Sequence, residues 1–258
     1  MKNVEVLISA MNQHDDSIFA KTNVHSDALL INQCDVEEKS EKHFSYGNLR
    51  IVSTTERGLS RSRNMALENA LGDICLICDD DEYLYDDYPR LIAQAYDDYP
   101  DADLICFQVK RLGKKYSNKA FRVKYLKSLR ISSWQITMRI DSVRKAGVIF
   151  DLKFGSGTPV GAGEENIFLF DCLKKGLKIY YVPICIGEVS QAKSNWFCGF
   201  DKTYFLNRGR IIRRLFGRGL GVSYCLYFAV SKYKAYRSNV SFFTAIRNLF
   251  NGLTGDDV

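Results

Sequence analysis

The chain has 258 residues of ordinary globular composition, 46% hydrophobic and 26% charged, which suits one α/β domain or one domain with a small appendage and calls for no covalent staple. Its eight cysteines are scattered and do not form a disulfide framework. The net charge of +6 is unevenly placed: from Phe200 to Val258 there are ten Lys/Arg against three Asp/Glu, and the remainder is near neutral, which excludes a generally nucleic-acid-binding protein and points to a local anionic partner.

Met1-Lys2-Asn3 leads directly into the alternating Val4, Val6 and Ile8 of a first strand, Val4 to Ser9; no secretory signal precedes it, which predicts reduced thiols and a cytoplasmic setting. Asp15 to Val24 reads as a polar helix, Ala28 to Ile31 as a second strand and Leu49 to Val52 as a third. Gly58-Leu59-Ser60-Arg61-Ser62-Arg63-Asn64 opens a helix with Ser60 as N-cap, Met65, Ala66 and Ala70 on one face, and Gly72 as its stop. Ile74 to Cys78 is a continuous apolar run bounded by Gly and Asp, the pattern of a central parallel strand covered on both faces. Cys75 and Cys78 would point to opposite faces of that strand, so they read as buried small hydrophobes and not as a redox or metal pair.

Pro89 to Tyr99 reads as helical, and Asp103 to Val109 and Ile136 to Ile140 as strands separated by the basic, loop-rich stretch Lys110 to Arg130. Gly155 to Gly163 is a glycine-rich loop suited to moving over a ligand. Glu164 to Gly176 follows as a helix with Ile167, Phe170, Leu173 and Leu177 near one face, and Ile179 to Val182 as a strand stopped by Pro183. Strand–helix alternation followed by mixed elements predicts an α/β fold with a mainly parallel sheet over residues 1–198, and a basic, amphipathic helical extension over 199–258.

Ligands of parallel α/β sheets bind beyond the carboxyl ends of strands, which is where Asp79-Asp80-Asp81-Glu82 falls. Four adjacent carboxylates repel one another unless they are solvated or hold a cation, and Mg2+ often takes one or two carboxylates plus substrate phosphates. The run by itself reads equally as a metal site or as a solvated acidic turn.

Its neighbours decide between them. Gly58-Leu59-Ser60-Arg61-Ser62-Arg63-Asn64, then Ala70-Leu71-Gly72-Asp73, the apolar strand, Asp79-Asp80-Asp81, Gly163-Glu164-Glu165 and Gly176-Leu177-Lys178-Ile179-Tyr180-Tyr181-Val182-Pro183 together resemble, in order and spacing, the family 2 glycosyltransferases with the GT-A fold. The resemblance spans roughly residues 3–190. It implies an inverting, metal-dependent transfer of a sugar from a nucleotide diphosphate donor, a UDP-sugar first, to a hydroxyl acceptor on a surface polysaccharide or its lipid-linked precursor. It puts Mg2+ or Mn2+ on Asp81, with Asp79 on the metal or the ribose and Asp80 beside the donor. Arg63 falls near the diphosphate or braces the carboxylates, and the backbone of Ser9 and Ala10 lines the base pocket. Where the family carries acids after its second strand this chain has Asn32 and Gln33, amides able to read a base edge.

The resemblance makes Glu165 the general base, with Glu164 as fallback; without it, the two glutamates would simply complement a helix N-terminus. The helix dipole lowers the basicity of such a carboxylate, while burial and repulsion from its neighbour raise it. Trp134 reads either as a platform for a sugar ring or as core. His14, His25 and His43 form no metal-ligand spacing.

The basic run from Arg208 to Arg218, followed by uncharged Gly219 to Val230, is too short to span a bilayer. It suits contact with an anionic membrane surface through residues 208–237, at the inner face of the cell membrane; helices packed back on the domain or a homodimer interface are the alternatives. Nucleic acid is not expected as a partner. Three rivals stand beside this reading. A nucleotidyltransferase would need a basic glycine-rich loop after the first strand, which Ser9-Ala10-Met11-Asn12-Gln13 lacks; a haloacid-dehalogenase-like phosphatase would need an early nucleophile strand; a non-catalytic sugar-nucleotide binder is kept open by Glu165 and the two amides.

Overall fold

The computed structural model describes residues 2–189 and 199–255. Strands β1 (Val4–Met11), β2 (Asp27–Gln33), β3 (Glu38–Phe44), β4 (Gly47–Thr54), β5 (Ile74–Asp79), β6 (Glu82–Leu84), β7 (Leu104–Lys110), β8 (Phe121–Arg122), β9 (Ile136–Arg139) and β10 (Ile179–Val189) form one sheet. The order is β3-β4-β2-β1-β5-β9-β7-β10-β6, with β8 paired to β10. β4, β2, β1 and β5 run parallel, so their carboxyl ends share one rim. Alternation along β1 sends Val4, Val6, Ile8 and Ala10 to one face and Leu7 to the other. Helices α1 (Ser17–Lys21) and α3 (Tyr88–Asp98) cover the first face; α2 (Leu59–Asn69), α5 (Ile140–Ala146) and α6 (Glu164–Lys174) cover the second, and the four-residue α4 (Tyr125–Ser128) packs beside α6.

Several expectations shift. The predicted helix at Asp15 to Val24 is a single turn, α1. β3 has every residue exposed, so no buried face wrote a pattern into Glu38–Phe44. β10 does not stop at Pro183: its ladder to β7 shifts register between Tyr181 and Cys185, where a missing N–H costs nothing, and resumes to Val189. The N-cap of α2 is Gly58, not Ser60. Ser60 sits inside the helix and its hydroxyl donates to the Phe154 carbonyl at 2.6 Å, drawing the helix to the glycine-rich loop.

The C-terminal helices α7 (Lys202–Tyr236) and α8 (Phe242–Thr254) form their own core, but α7 is not one rod. Gly217, at φ 68° and ψ −176°, breaks it, and the halves fold back on each other. Phe205 meets Tyr236 at 4.8 Å between ring centroids, and Phe216 stacks on Tyr224 at 4.6 Å. The first half also packs on the sheet domain. Ile211 and Leu215 bury against Phe154, Val160, Ile167 and Phe170, and Arg214 reaches Asp151 and Asp171 at 2.8 and 2.6 Å. The expected boundary at 198–199 borders residues 190–198, which lie outside the described residues.

Candidate active site

Two glycines let the segments of the site approach. Gly58 carries φ 115° and its N–H donates to Gln33 Oε1 at 2.7 Å, so Gln33 spends its acceptor on the start of α2. Gly163, at φ 91°, starts α6 against α7: a Cβ there would lie 2.9 Å from Ile211 Cδ1. The glycine-rich loop that leads into Gly163 is held from two sides. Leu59 N donates to Ser156 O at 3.0 Å, and Asn207 of α7 donates to the carbonyls of Pro159 and Val160 at 3.0 and 3.3 Å.

Arg63 ties the site together. It is 3% exposed, and its fork donates to Asp79 Oδ1 at 2.8 Å and to Glu164 Oε1 at 3.0 Å. Burial alone would favour a neutral guanidine, but the charges of Asp79 and Glu164 hold it ionised. Thus α2 joins the end of β5 to the start of α6. The other oxygen of Asp79 accepts from Ser133 Oγ at 3.2 Å, so both its oxygens are engaged.

Asp80 and Asp81 make the turn from β5 into β6, and Asp81 is an exposed residue. Among the described residues no cation pairs with it; partial desolvation of its carboxyl, then the charges of Asp79 and Asp80, push its pKa upward. Glu82 turns inward, 2% exposed, with Oε1 accepting from Asp79 N at 2.9 Å and Oε2 finding no hydrogen-bond partner among the described residues. Burial, and next the charge of Asp79, push its pKa well above the usual carboxylate range, and it braces the acidic turn from inside.

Glu165 follows Glu164 in the first turn of α6. Burial, then the Glu164 charge, raise its pKa well above the usual carboxylate range, against the pull of Arg63 and Arg208. In the tension between helix dipole and burial, burial wins. Glu165 shares a cavity of about 240 Å3 with Arg63, Asp79, Glu164, Arg111 and Trp134. Trp134 is half in core and half in this wall, with the Arg111 guanidinium 5.1 Å and the Lys114 amine 5.3 Å from its ring centroid. Burial and the charge of Arg111 push the Lys114 pKa down to about 8, while its amine donates to Ser132 and Gln135 at 2.7 Å each.

The structure therefore brings together Arg63, Asp79, Glu164, Glu165 and Trp134, and sets Asp80 and Asp81 at the adjoining turn. Ser9 lies at the rim of β1, its hydroxyl accepting from Ser62 Oγ at 2.8 Å, and Ala10 is buried beside it. Asn32 faces a second cavity of about 510 Å3, but its amide clamps the Gln13 backbone, accepting from N and donating to O at 2.9 Å each. Sequence reasoning missed Arg111, Lys114, Ser133 and Arg208. The basic stretch after Val109 was the only signal for the first two; Arg208 lay within the run read as facing a membrane.

Among the described residues no group of three or more His, Cys, Asp or Glu could enclose a metal alone. Asp81, unpaired and crowded by like charge, with Asp79 beside it, matches the smaller donor set that a cation completes with phosphate oxygens and water.

By structure the chain is similar to residues 1–349 of TarS from S. aureus in complex with UDP-GlcNAc, at 14% identity and a TM-score of 0.66, over 97% of this chain and 81% of that one. It is also similar to the mannosyltransferase PcManGT from Pyrobaculum calidifontis in complex with GDP-Man and Mn2+, at 10% identity and a TM-score of 0.52, over 100% and 76%. At such identities the likeness is one of fold. No curated protein sequence matches. The profile of glycosyl transferase family 2 matches residues 5–152, more than half of the chain, and takes in α2, the acidic turn and Trp134. With that match and the GT-A arrangement of sheet and helices, the chain belongs to glycosyltransferase family 2.

Proposed function

We propose that this glycosyltransferase moves a sugar from a nucleotide diphosphate donor, a UDP-sugar first, onto an acceptor hydroxyl with inversion. The observation that carries the reading is Glu165: a carboxyl with no ion pair among the described residues and with a raised pKa, in a cavity it shares with Arg63 and Asp79. Such a group accepts a proton readily, as a general base must. The acceptor O–H gives its proton to Glu165 while the oxygen bonds the anomeric carbon; the bond from that carbon to the diphosphate breaks, and its electron pair leaves on the diphosphate.

Mg2+ or Mn2+, when bound, neutralises the charge that gathers on the leaving diphosphate. Asp81 would hold it, with Asp79 as second ligand, because Asp79 is already engaged by Arg63 and Ser133. Asp80 lies beside the donor. Ser9 and Ala10 line the base pocket, and Asn32 and Gln33 act there through the Gln13 and Gly58 backbone they hold. Trp134 backs the sugar. The UDP-GlcNAc bound by TarS, and the GDP-Man and Mn2+ bound by PcManGT, support a nucleotide sugar and a cation. The acceptor is a glycan or lipid-linked precursor of a surface polysaccharide, met at the cytoplasmic face of the membrane.

The test is thermal unfolding with nucleotide diphosphates and their sugars, with and without Mn2+, on the wild type and Asp81→Ala. A ligand at a hundredfold its Kd stabilises by about 2.7 kcal/mol. The expected result is stabilisation by UDP or a UDP-sugar that requires Mn2+ and is lost in Asp81→Ala. Equal stabilisation in that variant would move the cation elsewhere, and no response to any nucleotide would overturn the donor reading.

A further inference from the structure

Of the basic residues in the C-terminal helices, those before Gly217 are largely committed inside the molecule. Arg214 is ion-paired to Asp151 and Asp171, and Arg208 lies between the rings of Tyr204 and Phe228, at 5.6 and 5.4 Å. Arg213 donates to the Gly255 carbonyl.

The half of α7 after Gly217 is different. Its inner face, Cys225, Phe228, Ala229 and Tyr236, builds the helical core. Its outer face is apolar as well: Leu220 is 71% exposed, Tyr227 62% and Val230 66%, with Leu226 and Tyr233 also exposed. A surface helix of a globular protein normally turns polar residues outward. Lys234 and Arg237 close the outer stripe at its C-terminal end, both exposed. At the same end Phe242 packs edge-on to Tyr233 at 5.8 Å, and its neighbour Phe243 is 83% exposed. From Lys202 to Gly255 the sequence holds no Asp or Glu at all.

We propose that this outer face of α7, with Phe243 of α8, docks the protein on an anionic lipid surface, lying in the interface with its apolar side chains in the headgroup–acyl boundary. An apolar face with a basic end and no acidic residue matches such a surface in both hydrophobicity and charge. A second copy matches less well: a two-fold interface sets the same patch against itself, bringing Arg218, Lys234 and Arg237 together with their own kind and no carboxylate from these helices to pair them. Among the described residues no helix is long and apolar enough to cross a membrane, so the contact is peripheral. The proposal gives a location to the membrane-borne acceptor proposed above, and rests on that reading only for its purpose.

The test is flotation of the full chain with phosphatidylcholine vesicles, with and without phosphatidylglycerol, alongside its mass in solution. The wild type should float with phosphatidylglycerol vesicles and not with phosphatidylcholine alone. Leu226→Glu/Val230→Glu should abolish flotation, and Lys234→Glu/Arg237→Glu should weaken it roughly tenfold or more, both with unchanged unfolding temperature and unchanged nucleotide binding. Absence of flotation, or equal flotation with both vesicles, would overturn the proposal. So would a wild-type dimer that the same apolar substitutions convert to monomer without any effect of lipid. Nucleotide binding is measured without vesicles, so failure of the donor reading and failure of this one are separately visible.

Discussion

The turn after β5 and the first turn of α6 are built alike, and the comparison separates frame from chemistry. Each offers neighbouring carboxylates. In each, one is bound to Arg63: Asp79 in the first, Glu164 in the second. In each, another has no ion pair among the described residues and a raised pKa: Asp81 in the first, Glu165 in the second. The difference lies in solvent. Asp81 stands on an exposed turn, open to the cation and diphosphate proposed above, whereas Glu165 is half-buried in a cavity wall, the setting of the proposed base. On the proposed reading, adjacent residues of one chemical type acquire separate tasks from their surroundings.

The largest effect expected is on the frame. Arg63→Ala leaves Asp79 and Glu164 without their shared partner, and loss of one member of such a buried set costs about 3–5 kcal/mol. Arg63→Lys, a single point donor in place of a fork, should recover only part of this. Denaturant unfolding measures both, and a cost within experimental error for Arg63→Ala would remove the bracing role.

Acidity sharpens the comparison next. Glu165 and Glu82 have folded-state pKa values raised above the unfolded ones, so their contribution to stability is complete below the ordinary glutamate range and is lost as pH rises through the raised values. Turnover should move the opposite way, rising across that window as Glu165 ionises. Unfolding temperature and rate, followed across pH on the same protein, should diverge; a rate already maximal at the ordinary glutamate pKa would contradict it. Glu82→Gln keeps the acceptor for Asp79 N and should hold stability in the acidic range. Glu82→Ala leaves that N–H unpaired and should cost about 1–3 kcal/mol. Smallest of all, Asp81→Asn should leave unfolding within about 0.5 kcal/mol of wild type, as for exposed sites generally, while abolishing the Mn2+ dependence of nucleotide binding. A marked loss of stability would return Asp81 to the frame.

Much of this was legible in the sequence because the motifs are contiguous. The apolar run Ile74–Cys78 fixed a central strand, its acidic end fixed the rim, and Gly163-Glu164-Glu165 marked a helix start. What was hidden depends on where side chains turn once distant segments meet. Nothing local says that Glu82, one residue past Asp81, faces inward while Asp81 faces out. Asn32 and Gln33 read as free amides, yet they hold backbone at Gln13 and Gly58. The loop carrying Arg111 and Lys114 acquires meaning only when it folds over Trp134. The break at Gly217 was invisible too, since the residues on either side are helical in pattern, and with it went the division of the basic tail into an inner and an outer half.

The most direct test of the division between frame and chemistry is cleavage of a UDP-sugar by Glu165→Gln at saturating Mn2+, per folded molecule. The account predicts that the variant binds the donor as wild type does, unfolds at a higher temperature than wild type above neutral pH, and loses turnover by about 10²–10⁴-fold, the usual contribution of a general base. Donor cleavage at the wild-type rate by a folded Glu165→Gln would contradict it and return Glu165 to the role of a helix-terminal carboxylate.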